Sequence, residues 1–414
     1  MCDRHERIRL APDRLDGFVG SRCSALFLPR VGVGALEESS NGVRVGKGER
    51  MTTLYRVWIG CFTMAVAALL GGAGVLFSFE LQSTNSASEN VWRIGPRDVP
   101  APEQASAELR ESIASAPAPD VEGSGQFAPS TREEWEAVTG GDEQAGVGAL
   151  ALAEALGLTV ETSEIDGVTV RHVRPAEIRQ EHADHLFVHL HGGGYVFGGG
   201  DASVAEAALI AAGAGITVLS VDYRMPPAHP FPAAVDDVVT VYQSLLGEHD
   251  PSRLGLGGTS AGAGLALAAT HKFVELGLDV PGAIFAGTPW SDLTKTGDTY
   301  YTNEGIDRVL VSYDGLISSA ARLYAGTHDL RHPLLSPIYG DFEGFPATYL
   351  VTGTRDLFLS DVVRTHRKMK AAGVVADLNV YEGVSHADYL LTPNSPESRE
   401  VFSELGSFLR QHLK

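Results

Sequence analysis

Short apolar runs, separated by segments of helical periodicity, dominate the second half of the chain. Runs of this length with few polar positions are typical of strands buried on both faces of a parallel sheet. Their alternation with helices predicts an α/β fold, in which a mostly parallel central sheet is flanked by helices. The segment between about 290 and 340 is too long for a simple crossover, so we expect it to fold over the carboxyl edge of the sheet. The predicted strands are LFVHLH (186–191), ITVLSVDY (216–223), LGLGGTS (254–260), AIFAGTP (283–289), TYLVTGT (348–354) and DLNVYEG (377–383).

Upstream of these runs the pattern predicts helices followed by a hairpin. The segments TVETSEI and VTVRHV flank Asp166-Gly167, a pair that fits the tight turn of a β-hairpin. A Pro-rich hinge, IGPRDVPAPEQ, precedes the helical segments. Helical patterns occur around residues 103–115, 131–139 and 143–156, and the last of them, GVGALALAEALG, ends at Gly157.

The amino-terminal region has a different texture. Residues 1–50 are rich in Gly and Arg with little periodicity, and we expect no stable fold there. Residues 57–79 carry no charge, and at a helical rise they would extend ~34 Å, enough to cross a bilayer core. Basic residues precede this stretch and acidic residues follow it, so the positive-inside rule places the large domain outside the cytoplasm. Residues 51–90 are thus predicted to form a signal peptide or membrane anchor and a linker.

The choice between a cleaved signal peptide and a retained anchor stays open. Read from Met51, the chain has a short basic start, an apolar middle and the polar segment STNSAS, as a signal peptide does. Met51 is then an alternative start, with residues 1–50 untranslated. The apolar stretch is long, however, and no clean A-x-A cleavage site follows it. A buried core helix is disfavoured, because core helices seldom lack charges over such a length.

Charge and cysteine content restrict the partners and the chemistry. The chain has 52 acidic against 32 basic residues, a formal net charge of −20. This balance argues against nucleic acid or an anionic membrane surface as the main partner, because both require clustered positive charge. The three cysteines, Cys2, Cys23 and Cys61, all lie near the amino terminus. The long remainder therefore has no disulfide, thiolate metal site or cysteine nucleophile. The reaction that the motifs described below predict implies no metal or cofactor.

The strongest local motif is GTSAG (258–262), which follows an apolar strand and opens the helix AGLALAATHKFVELG. A serine on a sharp strand-to-helix turn needs small neighbours on both sides, since the backbone folds back tightly. The turn exposes the serine hydroxyl at the carboxyl edge of the sheet. A bare G-x-S-x-G is a weak signal, but the strand–turn–helix context that the motif requires is present. We predict that Ser260 is a nucleophile.

A second motif, HGGGY (191–195), directly follows the predicted strand LFVHL. Attack of a serine on an ester makes a tetrahedral oxyanion, and each fixed N–H donor to it lowers the barrier by ~3 kcal/mol. Consecutive glycines bring bare N–H groups close to a substrate. The predicted donors are the N–H groups of Gly192, Gly193 and Ala261. The alternative is a flexible loop without a binding role.

A serine hydroxyl needs a base, normally a histidine that is held by a carboxylate. His386 follows the last predicted strand, in GVSHA, and Asp356 follows the previous strand, in GTRD. The order Ser…Asp…His is the one expected when a serine stands on such a turn. Asp361 is the alternative acid, although it fits better as a cap of the helix VVRTHRKMKAAG. His229 lies in a Pro-stiffened loop without an acid at useful spacing, and we interpret it as structural.

Together these segments resemble the hormone-sensitive-lipase-like α/β hydrolases and, more loosely, the monoterpene lactone hydrolases within them. The matching motifs are HGGGYVFGG, VDYRMPPAHPFPAAVDD, GTSAG, TPWSDLT, HPLLSP, GTRD and GVSHA, in that order. The resemblance covers about residues 158–410 and implies the α/β-hydrolase fold, with the same triad and oxyanion donors as above. It also implies a helical cap from residues 91–157, with a contribution from about 290–340. Residues 158–414 would then form the catalytic domain.

Two positions depart from the family pattern. Members commonly have an acidic residue where Thr259 stands and a glycine where Ala263 stands. Thr259 changes the polarity behind the nucleophile, and Ala263 adds a methyl group to the first helical turn. Neither removes a catalytic group, so we expect them to tune the site.

The sequence therefore predicts a serine carboxylic-ester hydrolase that cleaves short acyl esters or lactones through an acyl-enzyme intermediate. An amidase or acyltransferase with the same triad stays open, because pocket shape selects the leaving group and the acceptor. A ligand-binding protein on a hydrolase scaffold is a further alternative, against which the presence of His386 speaks. Serine at position 260, where haloalkane and epoxide enzymes need an aspartate, excludes those two classes.

Overall fold

The computed structural model describes residues 95–140, 142–178 and 180–414. Within these ranges no helix combines the length and the apolar character needed to span a bilayer. The predicted signal or anchor at residues 57–79 and the alternative start at Met51 lie outside the described residues.

The described ranges contain one eight-stranded sheet, ordered β1-β2-β4-β3-β5-β6-β7-β8. Strand β2 pairs antiparallel with β1 and with β4, and all the other neighbours are parallel. The predicted α/β fold with a mostly parallel sheet is confirmed, as is the hairpin, and strand ends differ from the predicted runs by one or two residues. The strands are β1 Leu158–Ile165, β2 Val168–Pro175, β3 Leu186–Leu190, β4 Thr217–Val221, β5 Leu254–Thr259, β6 Ala283–Gly287, β7 Ala347–Gly353 and β8 Ala376–Tyr381.

Helices cover both faces of the sheet. The first begins later than the pattern predicts, because the Ser106 side chain caps it by accepting a hydrogen bond from the N–H of Leu109. The helices of the described ranges are α1 Ala107–Ser115, α2 Val121–Gln126, α3 Arg132–Thr139, α4 Asp142–Ala155, α5 Val204–Ala214, α6 Ala233–Leu246, α7 Ala261–Leu276, α8 Thr299–Thr302, α9 Leu316–Ala325, α10 Leu359–Ala371, α11 Asp388–Leu391 and α12 Pro396–His412.

The core lies on the two faces of the sheet, as the apolar strands require. Phe187 of β3 packs in one cluster with α5 and α12, whereas its neighbour Val188 packs in another with α6 and α7. Side chains alternate between faces along a strand, so a strand that is apolar at every position supplies both layers. Ala263, one of the two departures from the family pattern, is fully buried in a third cluster with Ile284 and Leu350.

The long segment between β6 and β7 leaves the sheet at its carboxyl edge, where the strand-end loops lie. It contains α8 and α9, and its residues 309–312 and 316–317 line a cavity together with Ser260. Phe127 and Leu152, from the segment before β1, line the same cavity. Two separate parts of the chain thus enclose the space above the end of β5.

Candidate active site

Ser260 stands at the junction of β5 and α7, on a turn with φ 60° and ψ −119°. A positive φ is strained for a serine, and such strain tends to occur at functional sites. The flanking glycines are required sterically, since a Cβ at either Gly258 or Gly262 would lie 1.9 Å from the carbonyl oxygen of Leu190. The serine N–H donates to the Gly287 carbonyl at 2.8 Å, which fixes the turn against β6. The small residues of the motif thus allow β3 and the turn to approach closely.

The structure brings the three predicted triad side chains together. His386 Nε2 lies 2.8 Å from Ser260 Oγ, and His386 Nδ1 lies 3.0 Å from Asp356 Oδ1. Asp356 follows β7 and His386 follows β8, so the loops at the carboxyl ends of these strands carry the carboxyl group and the imidazole. All three residues are buried. The serine therefore has an imidazole within hydrogen-bond reach, and the imidazole has a carboxylate partner, which is the geometry that a catalytic triad requires.

Asp356 is held by several donors. Its Oδ2 accepts hydrogen bonds from the hydroxyls of Thr288 and Thr352, and Oδ1 accepts the Phe358 N–H at 2.8 Å. Burial alone would raise the pKa of this carboxyl group. The charge and hydrogen bond of His386, together with the two threonine hydroxyls, lower the pKa of Asp356 below its usual value. The ionised carboxylate favours the tautomer that carries its proton on Nδ1 and leaves Nε2 to accept the serine proton.

The alternative acid, Asp361, and the histidine interpreted as structural, His229, both lie outside the triad. Asp361 is buried in the first turn of α10, where Phe358 is the N-cap, so the expected capping role of Asp361 is wrong. Its Oδ2 accepts a hydrogen bond from the Tyr300 hydroxyl at 2.7 Å. Burial and the neighbouring Asp292 raise the pKa of Asp361 well above its usual value. His229 is exposed and does not line the cavity that contains Ser260.

The glycine loop after β3 approaches the nucleophile closely. A Cβ at Gly192 would lie 2.9 Å from the carbonyl oxygen of Thr259, and one at Gly193, where φ is +103°, would lie 2.3 Å from that of Phe197. Both glycines line the cavity that contains Ser260. Within the described ranges, their N–H groups donate to no other group. These donors are therefore free for a ligand, as the predicted oxyanion site requires.

His191 anchors this loop. Its ring stacks on Tyr223 with the ring centres 4.1 Å apart, and its Nδ1 donates to the Gly192 carbonyl at 2.8 Å. The Tyr223 hydroxyl in turn donates to the His191 carbonyl at 2.7 Å. Burial lowers the pKa of His191 to about 4, so the imidazole is neutral near pH 7. We conclude that His191 shapes the loop and does not supply a charge.

A buried polar network, which the sequence analysis missed, lies behind the nucleophile. The Thr259 hydroxyl donates to Glu206 Oε1 and lies 2.7 Å from the Tyr389 hydroxyl. Glu206 Oε2 lies 3.1 Å from His189 Nε2, and His189 Nδ1 lies 2.9 Å from Ser220 Oγ. Position 259 lacks the common acid, but Glu206 of α5 places a carboxyl group against its side chain. A lone charged residue in the apolar helix VAEAALIAAGA was the available signal.

Asparagine 303, from the segment between β6 and β7, was also missed. Asn303 Nδ2 donates to the carbonyl oxygens of Thr354 at 3.1 Å and of Asp356 at 2.8 Å, which fixes the loop that carries the acid. Thr288 belongs to the TPWSDLT motif, but the motif gave it no role. Its positive φ of 35° shows that the backbone is strained where its hydroxyl reaches Asp356.

The cavity above Ser260 has a volume of about 550 Å³ and a mostly apolar lining, within the usual size of a small-molecule site. Phe127 and Leu391 are among its more exposed apolar residues. In the part of the chain that the structure describes, no group of three or more His, Cys, Asp or Glu residues is placed to hold a metal ion. The apolar side chains that line the cavity above Ser260 include Phe127, Leu152, Leu209, Leu310, Ile317 and Leu391.

Comparison with known proteins agrees with the fold and the motifs. A family model described as an alpha/beta hydrolase fold matches residues 187–390. An acetyl-hydrolase of Streptomyces hygroscopicus is 35% identical over 247 residues, which cover 59% of this chain and 82% of that protein.

Solved structures are similar over the same region. The crystal structure of an esterase, E25, is 50% identical, with a TM-score of 0.77 over 79% of this chain and 100% of that one. An esterase from the bacterial hormone-sensitive lipase family is 32% identical, with a TM-score of 0.59 over 69% of this chain and 100% of that one. The resemblance inferred from the motifs is therefore confirmed, and the chain belongs to the hormone-sensitive-lipase-like carboxylic ester hydrolases of the α/β-hydrolase family.

Proposed function

We propose that this enzyme is a serine hydrolase that cleaves short acyl esters or lactones through an acyl-enzyme intermediate, with Ser260, Asp356 and His386 as its triad. The observation that carries the proposal is the 2.8 Å contact between Ser260 Oγ and His386 Nε2 in a largely apolar cavity. A serine and a histidine at this distance can exchange a proton, and the buried carboxylate behind them fixes the direction of transfer.

In the first half of the reaction, His386 takes the proton of Ser260 while Oγ attacks the acyl carbon. The histidine becomes a cation, which the carboxylate of Asp356 stabilises at 3.0 Å. The carbonyl oxygen of the ester becomes an oxyanion and accepts hydrogen bonds from the N–H groups of Gly192, Gly193 and Ala261. Each such donor lowers the barrier by ~3 kcal/mol, because it is fixed before the charge develops.

In the second half, the histidine proton passes to the leaving alkoxide oxygen and the alcohol departs. Ser260 then carries the acyl group. A water molecule takes the place of the alcohol, His386 removes its proton, and the hydroxide oxygen attacks the acyl carbon. Collapse of this intermediate returns the proton to Ser260 Oγ and releases the acid, so the enzyme is regenerated with no net change in protonation.

The size and lining of the cavity support a small, apolar acyl group. A volume of about 550 Å³ leaves room for a short ester, and the apolar walls solvate its hydrocarbon part. The name acetyl-hydrolase, carried by the relative from Streptomyces hygroscopicus, supports the same acyl class. Lactones enter the proposal through the looser resemblance to monoterpene lactone hydrolases.

The test is hydrolysis of p-nitrophenyl esters, with acyl chains of two to twelve carbons, by the full-length chain and by Ser260→Ala. We expect turnover of the short esters, and a loss of at least about 10⁴-fold in kcat/KM in the variant. Ser124→Ala is the matched control, because Ser124 lines the same cavity without belonging to the triad. A lactone, an amide and an added alcohol acceptor are assayed in parallel.

The outcomes separate the candidate activities. Turnover of esters or lactones that disappears in Ser260→Ala supports the proposal. Faster cleavage of the amide, or transfer to the alcohol at the expense of hydrolysis, would replace it by the amidase or acyltransferase alternative. A folded wild-type chain that binds these compounds but turns none of them over would contradict it and favour a binding protein.

A further inference from the structure

Asp307 is a fully buried carboxyl group beside the triad, and the proposed mechanism does not use it. It lies between α8 and α9, in the segment that crosses the carboxyl edge of the sheet. Its Oδ2 accepts the N–H of Leu357 at 2.8 Å and the N–H of His386 at 3.3 Å. Its Oδ1 accepts the N–H groups of Val309 and Leu310 at 2.9 and 3.2 Å. Four backbone donors thus converge on one side chain.

These contacts join three parts of the site. Leu357 directly follows Asp356, and the second donor is the N–H of His386 itself, so one carboxyl oxygen touches the loops of both the acid and the base. Val309 and Leu310 line the cavity, so the other oxygen fixes a wall against which the substrate lies. A displacement of Asp307 would shift the acid, the base and the cavity wall relative to one another.

We propose that Asp307 is a positioning residue: its carboxylate holds the loops of Asp356 and His386 in register with the cavity wall, and its negative charge stabilises the imidazolium that forms during acylation. This inference rests on the proposed function, because it assumes that His386 acts as the base. Asp307 does not touch the reacting atoms. It acts through the backbone of His386 and through its charge.

The contacts suit an ionised group better than a neutral one. A carboxylate accepts at both oxygens, whereas a carboxylic acid turns one hydroxyl hydrogen towards an N–H donor and loses that bond. The titratable groups facing Asp307 are Asp356 and His386. The adjacent Arg308 is occupied by an ion pair with Asp388.

The protonation state of Asp307 determines the pH range in which it should support activity. Burial and the charge of Asp356 raise the pKa of Asp307 to about 6, against the opposing effects of His386 and the backbone N–H groups. Above this pH the side chain is ionised and holds both loops. As the pH falls through about 6 it becomes neutral, and its contribution to activity is lost.

The test compares Asp307→Asn with wild type in the full-length chain, by measuring kcat and KM on p-nitrophenyl acetate between pH 5 and pH 9. At pH 8 we expect kcat to fall about 10- to 100-fold, as small misplacements of catalytic groups do, with a much smaller change in KM. Below pH 6 the ratio of wild-type to variant kcat is expected to shrink towards one, because wild-type Asp307 is then neutral as well.

Asn303→Ala is the comparator, because Asn303 supports the same acid loop from the same segment but carries no charge. Its loss of kcat is expected to be the same at every pH. A ratio for Asp307→Asn that is also independent of pH would overturn the role of the charge, and an unchanged kcat at pH 8 would overturn the positioning role.

Two further measurements keep these outcomes interpretable. Should Asp307→Asn lack the native near-ultraviolet circular dichroism, Asp307→Glu replaces it: the charge is kept but displaced by a methylene, so kcat falls while the pH profile keeps its wild-type shape. Wild-type kcat in Asp307→Glu would overturn the positioning role. Covalent labelling of wild type by an organophosphonate, located at Ser260 by mass spectrometry, tests the proposed function separately.

Discussion

The nucleophile side and the acid–base side of this site are held by different means. Around Ser260 the constraint is steric, because any Cβ at Gly258 or Gly262 would overlap the carbonyl oxygen of Leu190. Around Asp356 the constraint is a set of side-chain hydrogen bonds, which come from the ends of β6 and β7 and from the segment between those strands. The nucleophile side depends on glycines, which have no side chain, and the acid–base side depends on hydrogen bonds that side chains donate.

The two sides should therefore respond differently to pH and to substitution. A steric constraint is violated at any pH, and its violation displaces β3 and the glycine loop together. A hydrogen-bonded constraint depends on protonation and can be weakened one donor at a time. Substitutions of the glycines that flank Ser260 should therefore damage folding and activity together, whereas substitutions on the acid–base side should lower activity while the fold persists.

The acid–base side is tested most strongly by Asp356→Asn. The amide keeps the shape of the side chain, but its NH₂ group cannot accept all the hydrogen bonds that now converge on the carboxylate. It also fails to hold the His386 proton on Nδ1 or to stabilise the imidazolium. We expect kcat to fall about 10⁴-fold, with thermal unfolding within a few degrees of wild type. Steady-state kinetics and calorimetry on the same preparation measure both.

Asp361→Asn is the matched control, because Asp361 is equally buried but bonds to Tyr300 and not to His386. The asparagine oxygen can still accept the hydrogen bond from the Tyr300 hydroxyl, and the side chain keeps its size. Activity should stay within a few-fold of wild type. If Asp361→Asn lost as much activity as Asp356→Asn, the assignment of the acid would be wrong.

The nucleophile side is tested by Gly262→Ala. The new methyl group would lie 1.9 Å from the Leu190 carbonyl oxygen and 2.7 Å from that of His191, both of which are backbone atoms that cannot rotate away. Overpacking of this kind costs roughly 3 kcal/mol of unfolding free energy, and the displaced glycine loop should lower kcat as well. Urea unfolding and ester hydrolysis measure the two effects.

Gly148→Ala provides the comparison, since a Cβ at Gly148 of α4 would meet nothing within 4 Å. Alanine in an exposed helix position should stabilise the protein by up to about 1 kcal/mol and leave activity unchanged. Equal unfolding free energies for Gly262→Ala and wild type would show that the β3–turn contact is loose, and the contrast between the two sides would fail.

The same contrast explains what could be predicted from the sequence. The strands and the triad follow from local signals, namely apolar runs, glycine-flanked motifs and residues just after strands. The supports are long-range: Glu206 lies 53 residues from Thr259, and Asp307 lies 79 residues from His386. No periodicity encodes such contacts. Helix α2 was missed because VEGSGQ contains two glycines and no apolar stripe.

The network behind Ser260 is held by hydrogen bonds, and Glu206→Gln should have a smaller effect than the changes at Asp356 and Gly262. The glutamine oxygen can still accept from Thr259, while its NH₂ group faces His189 Nε2. His189 can move its proton to Nδ1 and bond Ser220, so every partner stays satisfied. We expect the unfolding free energy to change by less than about 1 kcal/mol, with kcat within a few-fold of wild type.

Thr259→Asp tests whether Glu206 replaces the acid that is common in the family at position 259, because it introduces that acid directly against Glu206. Two buried carboxyl groups in contact repel when ionised, so Thr259→Asp alone should lower the unfolding free energy by about 2–4 kcal/mol at pH 7. In the Glu206→Gln background the introduced carboxyl group meets an amide, and most of that loss should be recovered. Urea unfolding of the two single variants and the double variant measures the coupling. If the losses simply add, Glu206 does not supply the acid at this position, and the threonine is tolerated for another reason.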